Sequence, residues 1–393
     1  MRRYDALAAI APRVGDALVV TNLANTATEW RTLRPHDGNL YFVGMGMVTP
    51  YALGLALALP HRRVLAFDGD GGILFEMSVL GTLAQSAPNN LCVVVLDNEG
   101  YVSTGKWQSV ASLSAGPVDI AGVARASGLA NVFEVRTVEE FEAQAAAGLE
   151  REDGPTVIVA KTSTEQAFVG TSPSDGKENK YSFVRHIEGL EGKAILKPSA
   201  REHGEPPKPD PEFSPVEDDD PFGEVLFDGL RENLVDFVIG LPCSGFAHTL
   251  QRCMDDQSMR YVAVANEGTG IGICAGAWLG GRTPAAVIEN FGVFAATYQI
   301  LRGHYTFGIP TLLMTEYRGD GGETEFFGDC GDMTEPLLQA ARINYRVVRD
   351  IRALKPAIRD GLRWMNFGLR PYAVLPGYDL SRPRPPKAEG APR

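Results

Sequence analysis

Two blocks of short apolar runs, separated by a long proline-rich and acidic stretch, constrain the fold of this chain more than any other feature. Within each block the runs alternate with longer segments whose apolar residues recur at three- and four-residue spacing, which is typical of amphipathic helices. Runs that are apolar on both faces of a strand indicate parallel strands buried between layers of helices. We therefore predict an α/β fold with two doubly wound parallel-sheet domains.

The strand-like runs are rich in Val, Leu and Phe and end near Gly, Asn or Asp, where turns are expected. In the first block the predicted strands are 17–21, 40–43, 64–67, 91–96, 132–135 and 156–160, and the predicted crossover helices are 50–59, 75–85 and 138–149. In the second block the predicted strands are 235–239, 261–264, 285–288, 311–315, 345–348 and 372–375. Two halves of matching size could be distant duplicates of one architecture.

Residues 163–222 separate the blocks and are dominated by Pro, Glu, Asp, Ser and Lys, with an acidic run at 217–220. This composition is typical of an extended or partly ordered linker, and a loop of that length inside one compact domain would be unusual. We predict a diphosphate- and metal-binding domain at 1–162 and a second domain at 223–380. The Pro- and Arg-rich tail at 381–393 is expected to be disordered.

The composition narrows the class of protein. A length of 393 residues suits two domains, and 44% hydrophobic residues allow each a buried core. A net charge of -12 argues against binding nucleic acid, which requires clustered positive charge. The five cysteines show no paired metal-ligand spacing, and no apolar segment of signal-peptide or membrane-spanning length is seen, so we expect a cytoplasmic protein. Its expected partners are small molecules, with neither nucleic acid nor a membrane among them.

The most informative motif is Gly69-Asp70-Gly71-Gly72, which follows a predicted strand and precedes a helical segment. Such a turn directs backbone N–H groups towards an anion, while Asp70 offers a carboxylate to a hard cation. Asn98 follows the next predicted strand, 28 residues after Asp70, so both side chains are expected at neighbouring carboxyl ends of strands, where open α/β sheets bind ligands. A diphosphate with Mg²⁺ suits this pattern. The alternative is that Asp70 and Asn98 only cap turns.

A Gly-Asp-Gly turn followed at this distance by Asn resembles the thiamine-diphosphate motif. The resemblance implies that Mg²⁺ is bound by Asp70, Asn98 and the backbone carbonyl of Gly100. It also implies that thiamine diphosphate contacts the other residues of the two turns, namely Gly69, Gly71, Gly72 and Tyr101.

Upstream, Val43-Gly44-Met45-Gly46 resembles the Gly-Ser-Met-Gly element that cradles the aminopyrimidine of thiamine diphosphate. The resemblance implies that Val43, Gly44 and Met45 bind the cofactor. Met45 would be the apolar wedge that keeps the cofactor bent, and the Val43 carbonyl would face its exocyclic amine. The alternative is that Met45 is an ordinary core residue.

In the second half, Asn266-Glu267-Gly268 ends a predicted strand and opens a helix rich in Gly and Ala. A carboxylate buried there can hydrogen-bond a ring nitrogen, and desolvation favours the protonated form that such a bond needs. The element resembles the Asn-Glu-Gly of the pyrimidine-binding domain, which implies that Glu267 is both a cofactor-binding and a catalytic residue. Glu267 could instead cap the helix, but three elements in order and at the right spacing favour the functional interpretation.

Within the thiamine-diphosphate-dependent decarboxylase superfamily, the chain is most similar to sulfopyruvate and phosphonopyruvate decarboxylases, over 17–160 and 223–350. The similarity implies that Arg318 and Asn290 are catalytic residues. The motifs that carry it are LDNEGYVSTG at 96–105, GLPCS at 240–244, NEG at 266–268, GIP at 308–310 and YRG at 317–319.

The order of the domains departs from that family, because the diphosphate-binding domain comes first here and the pyrimidine-binding domain second. The two kinds of domain commonly come from different subunits, so the resemblance implies a homodimer or homotetramer with active sites between subunits. On this view Glu267 reaches the cofactor of a neighbouring copy.

Two further departures affect the chemistry. Where relatives show Gln-Asn-Ser-Gly this chain has Glu-Asn-Phe-Gly at 289–292, and the segment 323–327, Glu-Thr-Glu-Phe-Phe, lacks their usual histidine. These changes indicate a more apolar substrate or a different fate for the intermediate. Lys106, His248 and His304 are other candidate anchors for a substrate carboxylate, although a solvated surface charge is the favoured interpretation of each.

The resemblance implies thiamine-diphosphate-dependent decarboxylation of a small 2-oxo acid through a carbanion-enamine, which is protonated to an aldehyde or passed to an acceptor carbonyl. An acyloin-forming carboligase and a non-catalytic cofactor-binding homologue within a complex are the alternatives. A nucleotide-dependent oxidoreductase is disfavoured, because no Gly-x-Gly-x-x-Gly turn follows the first strand.

Overall fold

The computed structural model describes residues 1–102, 110–167, 169–170, 175–196, 211–321, 323 and 325–381. The chain divides into two compact units. The first unit comprises Met1–Ile195, Val264–Arg282 and Tyr305–Gly308, and the second comprises Leu196–Ala263, Thr283–His304 and Ile309–Arg393.

The first unit is built on a parallel six-stranded sheet. Its strands are β1 (Leu18–Asn22), β2 (Asn39–Val43), β3 (Val64–Gly69), β4 (Leu91–Asp97), β7 (Asn131–Val135) and β8 (Thr156–Lys161), in the order β2-β1-β3-β4-β8-β7. The short strands β5 (Gly100–Tyr101) and β6 (Val110–Ala111) form a separate antiparallel pair. The central strands are buried almost throughout because helices cover both faces, as runs of consecutive Val and Leu require.

The helices of the first unit begin and end close to the predicted bounds where their periodicity is strong. They are α1 (Arg3–Ile10), α2 (Asn25–Leu33), α3 (Val48–Ala58), α4 (Asp70–Phe75), α5 (Val79–Ser86), α6 (Ile120–Ala126), α7 (Val138–Glu150), α8 (Gly176–Glu191) and α11 (Glu267–Leu279). The single helix predicted at 75–85 is two helices, because Glu76 leaves the helical conformation at φ -124° and ψ 50°. The first of them, α4, starts directly at Asp70.

Helix α8 lies inside the segment predicted as a linker, and it packs against the edge strand β2. The Asn179 side chain accepts a hydrogen bond from the Tyr41 N–H at 2.7 Å and donates one to the Asn39 carbonyl at 2.9 Å. It thereby satisfies backbone groups that an edge strand would otherwise expose. This part of the predicted linker is therefore an ordered helix of the first unit, while residues 197–210 lie outside the described residues.

The second unit repeats the architecture of the first. Its strands are β9 (Phe237–Gly240), β10 (Arg260–Ala263), β11 (Pro284–Glu289), β12 (Leu312–Glu316), β13 (Asn344–Val348) and β14 (Tyr372–Pro376), and its helices are α9 (Phe222–Glu232), α10 (Ala247–Asp255), α12 (Asn290–Ala295), α13 (Thr297–Leu301), α14 (Glu325–Ala340), α15 (Leu354–Gly368) and α16 (Tyr378–Ser381). The sheet order is β10-β9-β11-β12-β14-β13, so numbering the strands within each unit gives 2-1-3-4-6-5 in both.

The predicted fold class is confirmed, since both units carry parallel sheets flanked by helices. Ser381, which the sequence placed in a disordered tail, ends α16 and is buried, whereas residues 382–393 lie outside the described residues. In the part of the chain that the structure describes, no helix combines the length and apolar character needed to cross a membrane.

Candidate functional site

The Gly-Asp-Gly turn and the Asn98 turn lie side by side at the carboxyl edge of the first sheet. Strands β3 and β4 are parallel neighbours, with Gly69 opposite Leu96. Asp70 is the first residue of α4, and Asn98 follows the end of β4. The adjacency predicted from the 28-residue spacing is therefore present.

A cavity at this edge brings together most of the residues that the sequence predicted to bind the cofactor and metal. Of these it is lined by Met45, Gly69, Asp70, Gly71, Gly72, Asn98, Gly100 and Tyr101. Arg3, Asn22, Asn25 and Thr26 also line it, and the sequence analysis had missed them. Asn22, Asn25 and Thr26 could have been predicted from the sequence, because they are polar residues at or just after the carboxyl end of β1. This strand lies next to β3 in the sheet.

Asp70 has a buried carboxylate held by two serine hydroxyls. Ser112 Oγ donates to Asp70 Oδ2 in a short hydrogen bond, and Ser114 Oγ lies 3.0 Å from the same oxygen. Burial raises the pKa of the Asp70 carboxyl, the two serine hydrogen bonds oppose this rise, and the nearby charge of Asp97 adds to it. A divalent cation would stabilise the ionised form of such a carboxylate.

Asp97 organises the second turn. Its Oδ1 accepts hydrogen bonds from Ser114 Oγ at 2.8 Å and from the Glu99 N–H at 3.1 Å, while its Oδ2 lies 2.7 Å from Lys161 Nζ. Within the turn, Asn98 Oδ1 accepts from the Gly100 N–H at 3.1 Å. The side-chain oxygen of Asn98 and the carbonyl of Gly100 are thus held in one compact loop.

The glycines of the turn are required by close neighbours. A Cβ on Gly71 would lie 2.5 Å from the Tyr101 ring, and one on Gly72 would overlap Asp68 Oδ1. Asp68 is buried and accepts a hydrogen bond from Thr49 Oγ1 at 2.8 Å. Burial raises the pKa of Asp68 to about 6.

The predicted pyrimidine cradle connects β2 to α3. Val43 ends β2 and is buried, Gly44 follows it, and Met45 lines the cavity described above. Gly46 has a φ of +75°, and a Cβ there would overlap the Phe75 ring. A residue without a side chain is therefore needed at the turn into α3.

Glu267 is the first residue of α11, and its neighbours fix the start of that helix. The Asn266 side chain caps the helix by accepting from the Gly268 N–H at 2.7 Å and the Thr269 N–H at 3.3 Å. Thr269 Oγ1 donates to the buried carboxylate of Glu76 at 2.8 Å and lies 2.9 Å from Ser78 Oγ. The start of α11 is thus attached to the segment that follows the Gly-Asp-Gly turn.

Helices α3 and α11 pack in parallel at backbone contact. A Cβ on Gly272 would lie 2.6 Å from Pro50, one on Gly276 would overlap the Tyr51 carbonyl, and one on Gly280 would lie 2.5 Å from Ala58. Because the contacts advance along both helices in the same direction, the amino end of α11 lies at the amino end of α3.

This packing places Glu267 beside the Met45 turn of its own chain, and an active site shared with a neighbouring copy stays a prediction. In the structure Glu267, the Met45 turn and the Gly-Asp-Gly turn belong to the same compact unit of one chain. The physical reason is the row of small residues on α11, which lets it approach α3 more closely than larger side chains would allow.

Arg318 and Asn290 belong to the second unit, whereas the other predicted site residues belong to the first. The Arg318 guanidinium is mostly buried, donates to Glu323 Oε1 at 2.6 Å, lies 3.7 Å from Glu289 and stacks 3.5 Å from the centre of the Phe327 ring. Asn290 is fully buried, and its Nδ2 donates to the Arg318 carbonyl at 2.8 Å. That contact suits Asn290 to holding the Arg318 backbone in place.

The weaker candidate anchors differ in their surroundings. His248 lies at the surface, 2.6 Å from Glu224 Oε1, which agrees with a surface charge. His304 is only 8% exposed, so its interpretation as a solvated charge is wrong. Lys106, together with residues 103–105 of the LDNEGYVSTG motif, lies outside the described residues.

The first unit fits a metal-bound diphosphate. Among the described residues, no group of three or more His, Cys, Asp or Glu side chains could hold a metal by itself. A cation here would therefore use Asp70, Asn98, the Gly100 carbonyl and phosphate oxygens, which is the oxygen-rich set that Mg²⁺ prefers. Gly71 and Gly72 line the cavity at the start of α4, where backbone N–H groups favour an anion such as a phosphate.

Comparison with known proteins agrees with this geometry. Residues 19–160 match the family model described as thiamine pyrophosphate enzyme, C-terminal TPP binding domain. Sulfopyruvate decarboxylase subunit beta of Methanothermobacter thermautotrophicus is 32% identical over 190 residues, which are 48% of this chain and 97% of that subunit. Subunit alpha of sulfopyruvate decarboxylase from Methanococcus maripaludis is 32% identical over 123 residues, 31% of this chain and 74% of that subunit.

Longer relatives are matched in part. Phosphonopyruvate decarboxylase of Streptomyces viridochromogenes is 36% identical over 144 residues, 36% of this chain, and the match spans only 35% of that enzyme. A transketolase from Pichia stipitis superposes with a TM-score of 0.60 at 12% identity, over 95% of this chain and 75% of the transketolase, which shows a shared fold. On the sequence matches and the site geometry together, the chain belongs to the thiamine-diphosphate-dependent decarboxylase superfamily.

Proposed function

We propose that this chain is a thiamine-diphosphate- and Mg²⁺-dependent enzyme that decarboxylates a small 2-oxo acid. One observation carries the proposal: the first unit gathers Met45, Asp70, Asn98 and Gly100 around one cavity, and it holds Glu267 at the start of a helix packed beside the Met45 turn. Its similarity to sulfopyruvate and phosphonopyruvate decarboxylases supports the same reaction class.

The proposed cofactor-binding residues form two groups, one at the diphosphate end and one at the pyrimidine end of thiamine diphosphate. Asp70, Asn98 and the Gly100 carbonyl would hold Mg²⁺ and the diphosphate, with Gly69, Gly71, Gly72 and Tyr101 around them, and Val43, Gly44 and Met45 would cradle the pyrimidine. Thiamine diphosphate supplies an electron sink for the bond next to the substrate carbonyl. Glu267 would hold a proton at a ring nitrogen of the pyrimidine, and Arg318, positioned by Asn290, would bind the substrate carboxylate.

An aromatic group on the second unit supports an apolar substrate. Phe291 and Phe326 are exposed, at 39% and 81%, and both rings contact Phe327 at centre distances of 6.2 and 4.9 Å. Arg318, next to Phe327, is shared between Glu323 and the proposed substrate carboxylate, so it is not assigned to a second anionic group such as a sulfonate. We propose a 2-oxo acid with an apolar or aromatic side chain rather than a sulfonate or phosphonate.

The test is product analysis by mass spectrometry after the purified chain is incubated with thiamine diphosphate, Mg²⁺ and a panel of 2-oxo acids. Pyruvate, 4-methyl-2-oxopentanoate, phenylpyruvate, sulfopyruvate and phosphonopyruvate form a graded series. Carbon dioxide and an aldehyde are expected, with kcat/KM highest for the apolar members. Phe327→Ala should reduce that preference while leaving pyruvate turnover closer to the unaltered level.

Addition of aldehyde acceptors to the same reaction distinguishes decarboxylase from carboligase. An acyloin as the main product would establish the carboligase alternative. If no member of the panel yields carbon dioxide or acyloin although the cofactor binds, the chain is the non-catalytic homologue that the sequence left open.

The similarity of this chain to two kinds of subunit also supports a proposal about how the protein is assembled. This chain resembles both a beta and an alpha subunit of sulfopyruvate decarboxylase, and we propose that it combines the counterparts of both in one polypeptide. A homodimer or homotetramer remains our prediction for the assembled protein, with light scattering as its measurement. Cytoplasmic location likewise remains a prediction.

A further inference from the structure

Two serine hydroxyls connect the loops that carry the proposed metal ligands. Ser112 and Ser114 follow β6, and both contact the same oxygen of Asp70, Oδ2. Ser114 Oγ also lies 2.8 Å from Asp97 Oδ1 and 2.7 Å from Ser112 Oγ. Asp70 follows β3 and Asp97 ends β4, so Ser114 bridges the two strand ends on which the proposed Mg²⁺ site is built.

The serines are rigidly placed. Both are buried, at 6% and 5% exposure, and Ser112 Oγ caps the following helical turn by accepting from the Ser114 N–H at 3.2 Å. The Ser112 N–H donates to the Glu99 carbonyl at 3.0 Å, and β6 pairs Ala111 with Gly100, the proposed carbonyl ligand. The hydroxyls are therefore held by the same backbone that presents the ligands.

The number of hydroxyl protons limits which hydrogen bonds Ser112 and Ser114 can donate at the same time. Each hydroxyl carries one proton, yet Ser114 Oγ lies within hydrogen-bond distance of two buried carboxylates. Without donors, two neighbouring carboxylates would repel each other and turn apart. With the serines in place, the contacts to Asp70 Oδ2 fix the orientation of the whole Asp70 carboxylate at the edge of the cavity.

We infer that Ser112 and Ser114 are positioning residues, which orient the Asp70 carboxylate as a metal ligand and couple it through Asp97 to the Asn98 turn. The inference rests on the proposed function, because it assumes the Mg²⁺ and diphosphate site. It adds to the metal site two residues outside the sequence motif, Ser112 and Ser114, which contact a proposed metal ligand and not the metal itself. Outer-layer partners of this kind typically affect metal affinity by roughly 10–100-fold.

The experiment measures how thiamine diphosphate binding depends on Mg²⁺, by quenching of tryptophan fluorescence in the full-length chain. Ser114→Ala and Ser112→Ala should each raise the Mg²⁺ concentration for half-maximal binding by roughly 10–100-fold. Ser114→Thr, which keeps the hydroxyl, should restore most of the Mg²⁺ affinity. Ser127→Ala is the matched control, because Ser127 Oγ donates to the Val123 carbonyl at 2.9 Å, a backbone group of its own helix in the same unit.

Thermal unfolding of the cofactor-free variants separates a positioning role from a merely structural one. The inference requires that Ser114→Ala changes the Mg²⁺ dependence with little change in the cofactor-free Tm. If an alanine variant does not fold, the near-isosteric Ser114→Cys, with its weak S–H donor, should show the same rise.

The outcomes are distinct. An unchanged Mg²⁺ dependence in Ser112→Ala and Ser114→Ala, with binding intact in the unaltered chain, overturns this inference alone. If the unaltered chain does not bind thiamine diphosphate in a Mg²⁺-dependent manner, the proposed function fails and this inference with it.

Discussion

At the scale of single residues, this protein concentrates buried carboxylates at one edge of its first sheet. Asp68, Asp70, Glu76 and Asp97 are each buried at the ends of strands and helices, and each accepts at least one hydrogen bond from a nearby hydroxyl. Desolvation makes a carboxylate costly unless it is hydrogen-bonded or paired with a cation. Such a group of residues is poorly explained by stability alone, and it is consistent with a cation and a heterocycle as ligands.

Glu267→Gln is expected to leave cofactor binding nearly intact and to reduce turnover by roughly 10²–10⁴-fold, because the amide cannot hold or release the proton. Isothermal titration with thiamine diphosphate and Mg²⁺ measures binding, and single-turnover kinetics measures the chemistry. Glu178→Gln, an exposed glutamate in the first turn of α8, is the control and should behave like the unaltered chain. Full activity of Glu267→Gln would contradict the assignment.

A buried lysine gives a prediction about pH. Lys180 on α8 is 1% exposed, and its Nζ lies 3.6 Å from the Tyr181 ring centre and 3.5 Å from the Gly308 carbonyl. Burial, with a smaller effect from Lys177, lowers the pKa of Lys180 to about 8. The unfolded chain has a lysine pKa near 10.4, so between pH of about 8 and 10.4 the unfolded state binds a proton that the folded state lacks.

The contribution of Lys180 to the free energy of unfolding should therefore be least favourable below pH 8 and should improve as the pH rises towards 10.4. Lys180→Met should be more stable than the unaltered chain at pH 7, on the order of 1–3 kcal/mol, and this gap should close by about pH 10. Urea unfolding across this range measures it. Lys193→Met, at an exposed lysine of the same unit, should show no such gap, and a gap constant with pH for Lys180→Met would refute the explanation.

At the scale of elements, the pairing of α3 with α11 decides where Glu267 lies. Both helices are almost entirely buried, and their contact is made by Gly54, Gly272 and Gly276 against backbone atoms of the opposite helix or against Pro50. Glycine weakens an isolated helix, so its repeated use on α11 indicates that close approach is the more important requirement.

Gly276→Ala is expected to destabilise the protein by roughly 1–3 kcal/mol, because the added methyl group overlaps the Tyr51 carbonyl and forces the helices apart. Thermal unfolding measures this, and cofactor affinity should fall as well, since Glu267 moves with α11. Gly189→Ala on α8 is the matched control. A Cβ there meets nothing within 4 Å, so the substitution should be neutral or slightly stabilising. Equal Tm values for the two variants would show that the close helix contact is absent.

At the scale of the whole molecule, one strand order is used twice, and only the first unit carries the proposed metal ligands and the activating carboxylate. The second unit carries Arg318, Asn290 and the exposed phenylalanines. We propose that this division separates the binding of the cofactor from the choice of substrate along the sequence.

The purified chain should bind about one thiamine diphosphate per polypeptide without any other protein present, because Met45, Asp70, Asn98 and Glu267 belong to one unit. Titration calorimetry gives the stoichiometry, and light scattering gives the oligomeric state of the same sample. Binding that appears only after a second, different polypeptide is added would contradict this prediction.

The fold class and the strands were predictable because local runs of apolar residues indicate which segments are buried. Consecutive Val and Leu residues, as in β4, suit only a strand covered on both faces, and a Gly-Asp-Gly turn placed directly after such a strand lies at its carboxyl edge. The segment from Asp70 to Asn98 spans one helix and one strand. Consecutive parallel strands joined by one helix are usually neighbours in the sheet, so the adjacency of Asp70 and Asn98 was predictable.

The sequence by itself determined the two parallel sheets, the turns that bear the proposed ligands and the candidate activating glutamate, because each depends on periodicity or on residues close together in the chain. Only the tertiary structure decided that α11 packs on α3 within one chain, that α8 covers an edge strand, and that Ser112 and Ser114 reach Asp70. These contacts join residues far apart in sequence. No local pattern encodes which distant backbone a glycine will approach or which carboxylate a serine hydroxyl will meet.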